Sequence, residues 1–147
     1  MERWAGKTAV VTGASAGIGA AVALALADAG LAVVAGARRV ELLEELEKNV
    51  KGHGRIIPVK CDVGKEDELV RLIEVAKDNG GVDVLVNNAA LLFDGNITDC
   101  NGLGAALDDV EECLNVNAMA VIRATRLAVA DMVQRKAPGV IIMLNRF

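Results

Sequence analysis

Between Thr12 and Gly19 the chain reads Thr-Gly-Ala-Ser-Ala-Gly-Ile-Gly, directly after an apolar, β-branched run at Thr8–Thr12. A strand, a glycine turn and a helix in that order make a cradle for phosphate. The first N–H groups of the helix lack partners within the helix, and its positive dipole end faces whatever sits before it. Gly13 and Gly17 permit positive φ and close approach of backbone to ligand, and Gly19 lets the helix lie tightly on the sheet. Ser15, Ala16 and Ile18 complete the set of groups facing a pyrophosphate, Ser15 with its hydroxyl. The dipole itself contributes about 0.3–1 kcal/mol, so hydrogen bonds must do most of the holding. The plainer reading is a structural strand-to-helix turn with no ligand.

Some twenty residues on, a dinucleotide site meets the adenosine ribose. A site for NAD carries a carboxylate there, to accept from both ribose hydroxyls. Here the second apolar run ends Gly36-Ala37-Arg38-Arg39, with Ala37 in the expected acidic position. A carboxylate would repel a 2′-phosphate, whereas Arg38 or Arg39 offers it charge-assisted, often bidentate bonds. At about 1.5–3 kcal/mol per charged hydrogen bond, one arginine can settle the choice of cofactor, and NADP is favoured. The competing reading is two solvated arginines at a helix start.

The same turn contains Gly13-Ala14-Ser15-Ala16-Gly17, which satisfies the Gly-x-Ser-x-Gly pattern of a hydrolase nucleophile elbow. Such an enzyme needs a histidine base, and His53 is the one histidine of the chain. Ser15 is the only serine and there is no tyrosine. The three cysteines, Cys61, Cys100 and Cys113, are far apart and form no Cys-x-x-Cys pair, so neither a disulfide framework nor a metal site is expected, and a reducing cytosol fits.

Chemistry of this kind must be positioned by a regular scaffold, and the remaining pattern supplies one. Strand-like runs at Thr8–Thr12, Ala32–Ala37, Ile56–Cys61, Val82–Val86 and Val140–Leu144 alternate with helical patterns at 17–29, 40–50, 65–78 and 107–136, with a loop at 91–104. In the first helix Ile18, Val22, Ala25 and Leu26 are expected to share the buried face; in the third, Leu69, Leu72, Ile73 and Ala76. Strands apolar on both faces, alternating with helices, imply α/β architecture: a doubly wound, Rossmann-like parallel sheet, one dinucleotide-binding domain over residues 1–147. The sheet is expected to be incomplete on its C-terminal side, since the fifth strand runs straight into Asn145-Arg146-Phe147.

With 147 residues, 53% apolar and 24% charged, the chain can bury a sizeable core and is not disordered in character. A net charge of −4 without a basic run argues against a nucleic-acid partner. The uncharged stretch from Thr8 to Ala27 imitates a secretory leader, but its glycines and threonines interrupt the apolar run; no membrane partner and a cytoplasmic location are expected.

The Thr-Gly-x-x-x-Gly-Ile-Gly spacing resembles the short-chain dehydrogenase/reductase family, and the resemblance runs along essentially the whole chain. Asp62-Val63 resembles the family pair that meets adenine. Asn87-Asn88-Ala89-Ala90 resembles the family's Asn-Asn-Ala-Gly, with Asn88, Ala89 and Ala90 on the adenosine side, Asn87 supporting the strand, and Ala90 standing where glycine is usual. Asn115-Val116-Asn117 resembles the Asn-Val-Asn whose second member, here Asn117, is the catalytic asparagine that anchors a proton-relay water. The general run is most similar to cytosolic carbonyl-reductase-like members, insect farnesol dehydrogenases among them.

The resemblance implies hydride transfer between NADP(H) and a small alcohol or carbonyl substrate, with a tyrosine handling the proton, a lysine four residues later lowering its pKa, and a serine orienting the substrate. Of these four catalytic positions only Asn117 is present, so the chain is expected to bind cofactor without turnover. An alternative is a non-catalytic or regulatory module that pairs with full-length homologues. Between Val116 and Val133 apolar residues surround the long helix instead of forming one stripe, which leads us to expect a homo-oligomer through that helix.

Overall fold

In the computed structural model, residues 4–92 and 103–144 are described. The first three residues, Cys100, most of the expected 91–104 loop, and Asn145–Phe147 lie outside them. Five strands, β1 (Thr8–Thr12), β2 (Ala32–Ala37), β3 (Arg55–Lys60), β4 (Val84–Asn87) and β5 (Val140–Met143), form one sheet in the order β3-β2-β1-β4-β5. Every pair is parallel, with Val10 opposite Val34 on one side and Leu85 on the other. The order reverses at β1, and this is where the crevice of a doubly wound sheet opens at the strands' C-terminal ends.

Helices α1 (Gly17–Asp28) and α2 (Val40–Glu47) belong to one face; α3 (Glu66–Asp78), α4 (Leu103–Leu114) and α5 (Ala120–Arg135) follow, with α3 and α5 on the other. Alternation along the strands feeds two cores. Val10, Val34 and Leu85 pack with Leu69, Leu72 and Ile73 of α3 and with Ala124 and Ala128 of α5. Val11, Val33 and Val86 pack with Ala23, Ala27 and Leu43. The buried face of α3 is the one its spacing indicates.

Two expectations change. In α1 the buried positions are Gly19, Ala23 and Ala27, whereas Val22 and Leu26 are half-buried and Ala25 and Ile18 face out, Ile18 at 67% exposure. The helix lies on its smallest side chains and so comes close to the sheet, which size-blind apolar spacing does not reveal. The long helix is also not continuous: α4 begins at Leu103, and a π-helical turn at Asn115–Met119 separates it from α5. Such a turn adds one residue to the ladder and re-aims the side chains on it.

The end of the sheet opposite the crevice, at the starts of β1 and β4, is held by charge. Asp83, buried before β4, accepts from the backbone N–H of Thr8 at 3.0 Å, and Asp131 accepts from that of Val82 at 2.8 Å. The Arg135 guanidinium donates to Asp131 at 2.7 Å and to the carbonyl of Val82 at 2.7 Å, fixing the end of α5 to the start of β4. The Thr8–Ala27 stretch forms β1, the glycine turn and most of α1 at the centre of the molecule. No helix among the described residues is long and apolar enough to cross a membrane.

Candidate dinucleotide site

A cleft of about 480 Å³ opens above the C-terminal ends of β1, β2, β3 and β4. Its floor is the glycine turn. Gly13 and Gly17 have φ of +65° and +57°, in the left-handed region where a side chain is strained. A Cβ at Gly13 would come within 2.7 Å of the Ala89 Cα, so this glycine is required by close approach of two loops. A Cβ at Gly17 would meet nothing within 4 Å and would stand in open space on the cleft wall. Gly19 lies beneath the floor, where a Cβ would collide with the Gly13 carbonyl and the Asn88 amide. The N-cap of α1, Ala16, is extended and gives no side-chain cap, and the first turn holds no acidic residue. The first amides of α1 therefore have no side-chain cap.

Thr12 and Asn88 fix the turn against β4. The Thr12 hydroxyl accepts from the backbone N–H groups of Asn88 and Ala89, both at 3.1 Å, and the Asn88 amide donates to the carbonyls of Thr12 at 2.9 Å and Gly13 at 3.0 Å. Asn88 thus shapes the pocket with its side chain already committed. Asn87 is buried and donates to Thr125 at 3.3 Å. Among the described residues Lys136 is the only non-glycine with positive φ, so the backbone at Ala90 makes no demand for glycine.

Toward β2 and β3 the cleft is walled by Ala37, Arg38, Arg39, Asp62 and Val63. Both arginines are exposed and, among the described residues, neither has an ion-pair partner. Cys61 also faces the cleft; burial, reinforced by Glu68 and Asp62, pushes its thiol up to about 12, so it stays protonated at neutral pH. Of the twelve cleft positions singled out from sequence besides Gly19, all line this one space.

Asn117 is placed differently. It does not line the cleft; its Oδ1 accepts from the Leu91 N–H and its Nδ2 donates to the Leu91 carbonyl, both at 2.8 Å. One lone pair of its Oδ1 and one N–H of its Nδ2 are thus committed to Leu91. His53 precedes β3, at the sheet edge opposite Ser15, which follows β1; with all strands parallel, the hydrolase arrangement has no base. No cluster of ligands for a metal occurs among the described residues.

Three contributors escaped the sequence reading. Thr12 belongs to the glycine motif, but its spacing gives no sign that its hydroxyl joins the turn to β4. Glu68, on the first turn of α3, accepts from the Asp62 N–H at 2.7 Å and is held below the usual carboxylate range, first by that bond. Asn115 donates to the Gly64 carbonyl at 3.0 Å.

The model of the family described as short chain dehydrogenase matches residues 7–145. The chain belongs to the short-chain dehydrogenase/reductase family. It is 44% identical to the farnesol dehydrogenase of Aedes aegypti, over 99% of this chain and 59% of that protein. It is 38% identical to human dehydrogenase/reductase SDR family member 11, over 99% of this chain and 56% of that one. Among solved short-chain dehydrogenase/reductase structures, one from Mycobacterium marinum superposes with a TM-score of 0.84 at 31% identity, covering 95% of this chain and 54% of that one. A metagenomic short-chain oxidoreductase described in complex with NADP superposes with a TM-score of 0.84 at 34% identity, covering 97% and 63%. The chain thus spans somewhat over half the length of the curated relatives it matches.

Proposed function

We propose that residues 1–147 form one dinucleotide-binding domain that takes NADP(H), within an oxidoreductase acting between alcohols and carbonyl compounds, and that by themselves they bind cofactor without turnover. The observation that carries the cofactor choice is the end of β2: Ala37 where a ribose-binding carboxylate would stand, and beside it on the cleft wall two exposed arginines with no ion-pair partner among the described residues. Support comes from the NADP complex of the metagenomic neighbour and from family membership.

In this reading the α1 terminus and the Ser15 hydroxyl hold the pyrophosphate, and the open space at Gly17 admits it. Arg38 and Arg39 bind the 2′-phosphate, and Asp62 and Val63, with Asn88, Ala89 and Ala90 opposite, enclose the adenosine. When bound, the nicotinamide supplies or accepts the hydride. Asn117 holds Leu91, which lines the cleft. Proton transfer in the family uses tyrosine, and this sequence contains none, which is why turnover is not assigned to it. Titration with NADPH and NADH, followed by cofactor fluorescence, tests the proposal; the same titrations with a set of small aldehydes and ketones should show binding and no cofactor oxidation.

Self-association belongs to the same proposal. Ile122, Val129 and Val133 are exposed on α5, and Ile142 and Met143 on β5. A patch of this character favours burial against a second subunit. A cytosolic location is assigned on Cys61 and Cys113, which are both unpaired thiols.

A further inference from the structure

We infer that Asn115 is a positioning residue that locks the adenosine wall of the cleft to the π-helical turn, so that the Asp62–Gly64 loop and the Leu91 segment are held as one unit. The inference rests on the reading of the cleft as a dinucleotide site and deepens it.

The π turn carries two asparagines two residues apart, and each reaches a different loop. Asn117 holds Leu91 through both of its amide atoms at 2.8 Å. Asn115 donates to the Gly64 carbonyl at 3.0 Å, while its Oδ1 accepts from the Arg123 guanidinium at 2.9 Å, so its amide is oriented from the α5 side. Gly64 in turn donates its N–H to Asp62 Oδ1 at 3.0 Å, and the Asp62 N–H is taken by Glu68 at 2.7 Å. Asp62 is therefore fixed at both its backbone and its carboxylate, and the outer anchor of that loop is Asn115. A Cβ at Gly64 would lie 3.2 Å from the Asn115 amide nitrogen, which records how closely loop and turn are fitted. Val116, between the two asparagines, itself lines the cleft. An ordinary α-helical turn would set positions 115 and 117 about 200° apart around the axis, and the wider turn changes which loops they can reach together.

The test uses the chain as it stands, with NADPH fluorescence for the whole cofactor and competition by adenosine 2′,5′-bisphosphate for its adenosine half. Asn115→Ala is expected to weaken both ligands by the same factor, about fivefold for one lost hydrogen bond and a loosened loop. Asn115→Asp keeps the acceptor for Arg123 and loses the donor to Gly64, and is expected to behave like the alanine variant. In double-mutant cycles the effect disappears in an Asp62→Ala background and stays additive with Arg38→Ala, a pattern that general loss of stability would not produce. Unchanged affinity for the bisphosphate in both variants, rescue by Asn115→Asp, or additivity with Asp62→Ala would each overturn the inference. Should Asn115→Ala prove insoluble, Asn115→Asp carries the comparison. Failure of the unmutated chain to bind NADPH at all would instead refute the dinucleotide reading beneath it.

Discussion

The Asn117 side chain pairs with the backbone of Leu91 as a neighbouring strand would, accepting from its N–H and donating to its carbonyl at 2.8 Å each. A side-chain amide used this way anchors the segment that leaves β4, where backbone pairing has stopped. Removing it leaves the Leu91 N–H without this acceptor and the Leu91 carbonyl with only the weaker Cys113 thiol as donor. Asn117→Ala is expected to cost about 1–2 kcal/mol in unfolding free energy, measured by urea denaturation, with Asn117→Asp losing about as much because it cannot donate to the Leu91 carbonyl.

The glycines of the turn separate stability from binding. Gly19→Ala forces a Cβ into the Gly13 carbonyl and the Asn88 amide and should destabilise the fold by about 1–3 kcal/mol. Gly17→Ala meets no atom, so its cost is the positive φ, about 1–2 kcal/mol, yet its methyl group projects into the pyrophosphate space. Thermal melting with and without NADPH reads both: Gly19→Ala should lower the midpoint more, while Gly17→Ala should abolish the upward shift that cofactor gives.

Glu68 predicts an acid-sensitive adenosine wall. Its carboxyl is held below the usual 4.5, first by the Asp62 N–H and then by Lys65, so the folded state binds this proton less readily than the unfolded chain. The resulting stabilisation is fully present above about pH 4.5 and is lost as pH falls through the lowered folded value. Glu68→Gln removes that dependence. The difference between unmutated and variant melting midpoints should be constant near neutral pH and shrink below 4.5; a pH-independent difference would contradict it.

The outward apolar surface of α5 gives a hydrodynamic prediction. Ile122 and Val133 are 59% and 70% exposed. Sedimentation velocity on the unmutated chain should show a species larger than the monomer, and Ile122→Asp with Val133→Asp should convert it to monomer while leaving the circular dichroism spectrum unchanged.

How much of this was legible in the sequence follows from which forces act locally. The limits of β1 and β2 and the buried face of α3 could be read because β-branched runs and a wide apolar stripe are strong periodic signals. The face of α1 could not, since alanine and glycine carry little hydrophobic signal and the decisive term is how closely the backbone approaches the sheet. β5 is the edge that the expected incomplete sheet implies: Val140, Ile142 and Met143 are exposed, with no further strand beside it among the described residues. The glycine-turn positions follow from glycine spacing and Arg38 and Arg39 from charge, whereas Asp62, Val63, Asn88, Ala89 and Ala90 came from the resemblance to the family. The roles of Thr12 and Asn115 were not legible, because each acts through a backbone group far along the chain, nor was that of Glu68, which reaches back six residues to the Asp62 N–H; the π turn that sets Asn115 has no periodic signature.

The proposed phosphate cradle lies beside an arginine pair, and one titration tests it directly. NADPH and NADH are titrated into the unmutated chain and into Arg38→Glu, with cofactor fluorescence as the readout. The prediction is that NADPH binds the unmutated chain more tightly than NADH, and that Arg38→Glu weakens NADPH by roughly 10–100-fold while NADH holds or gains. Equal, weak responses to both cofactors, unaltered by the substitution, would contradict it.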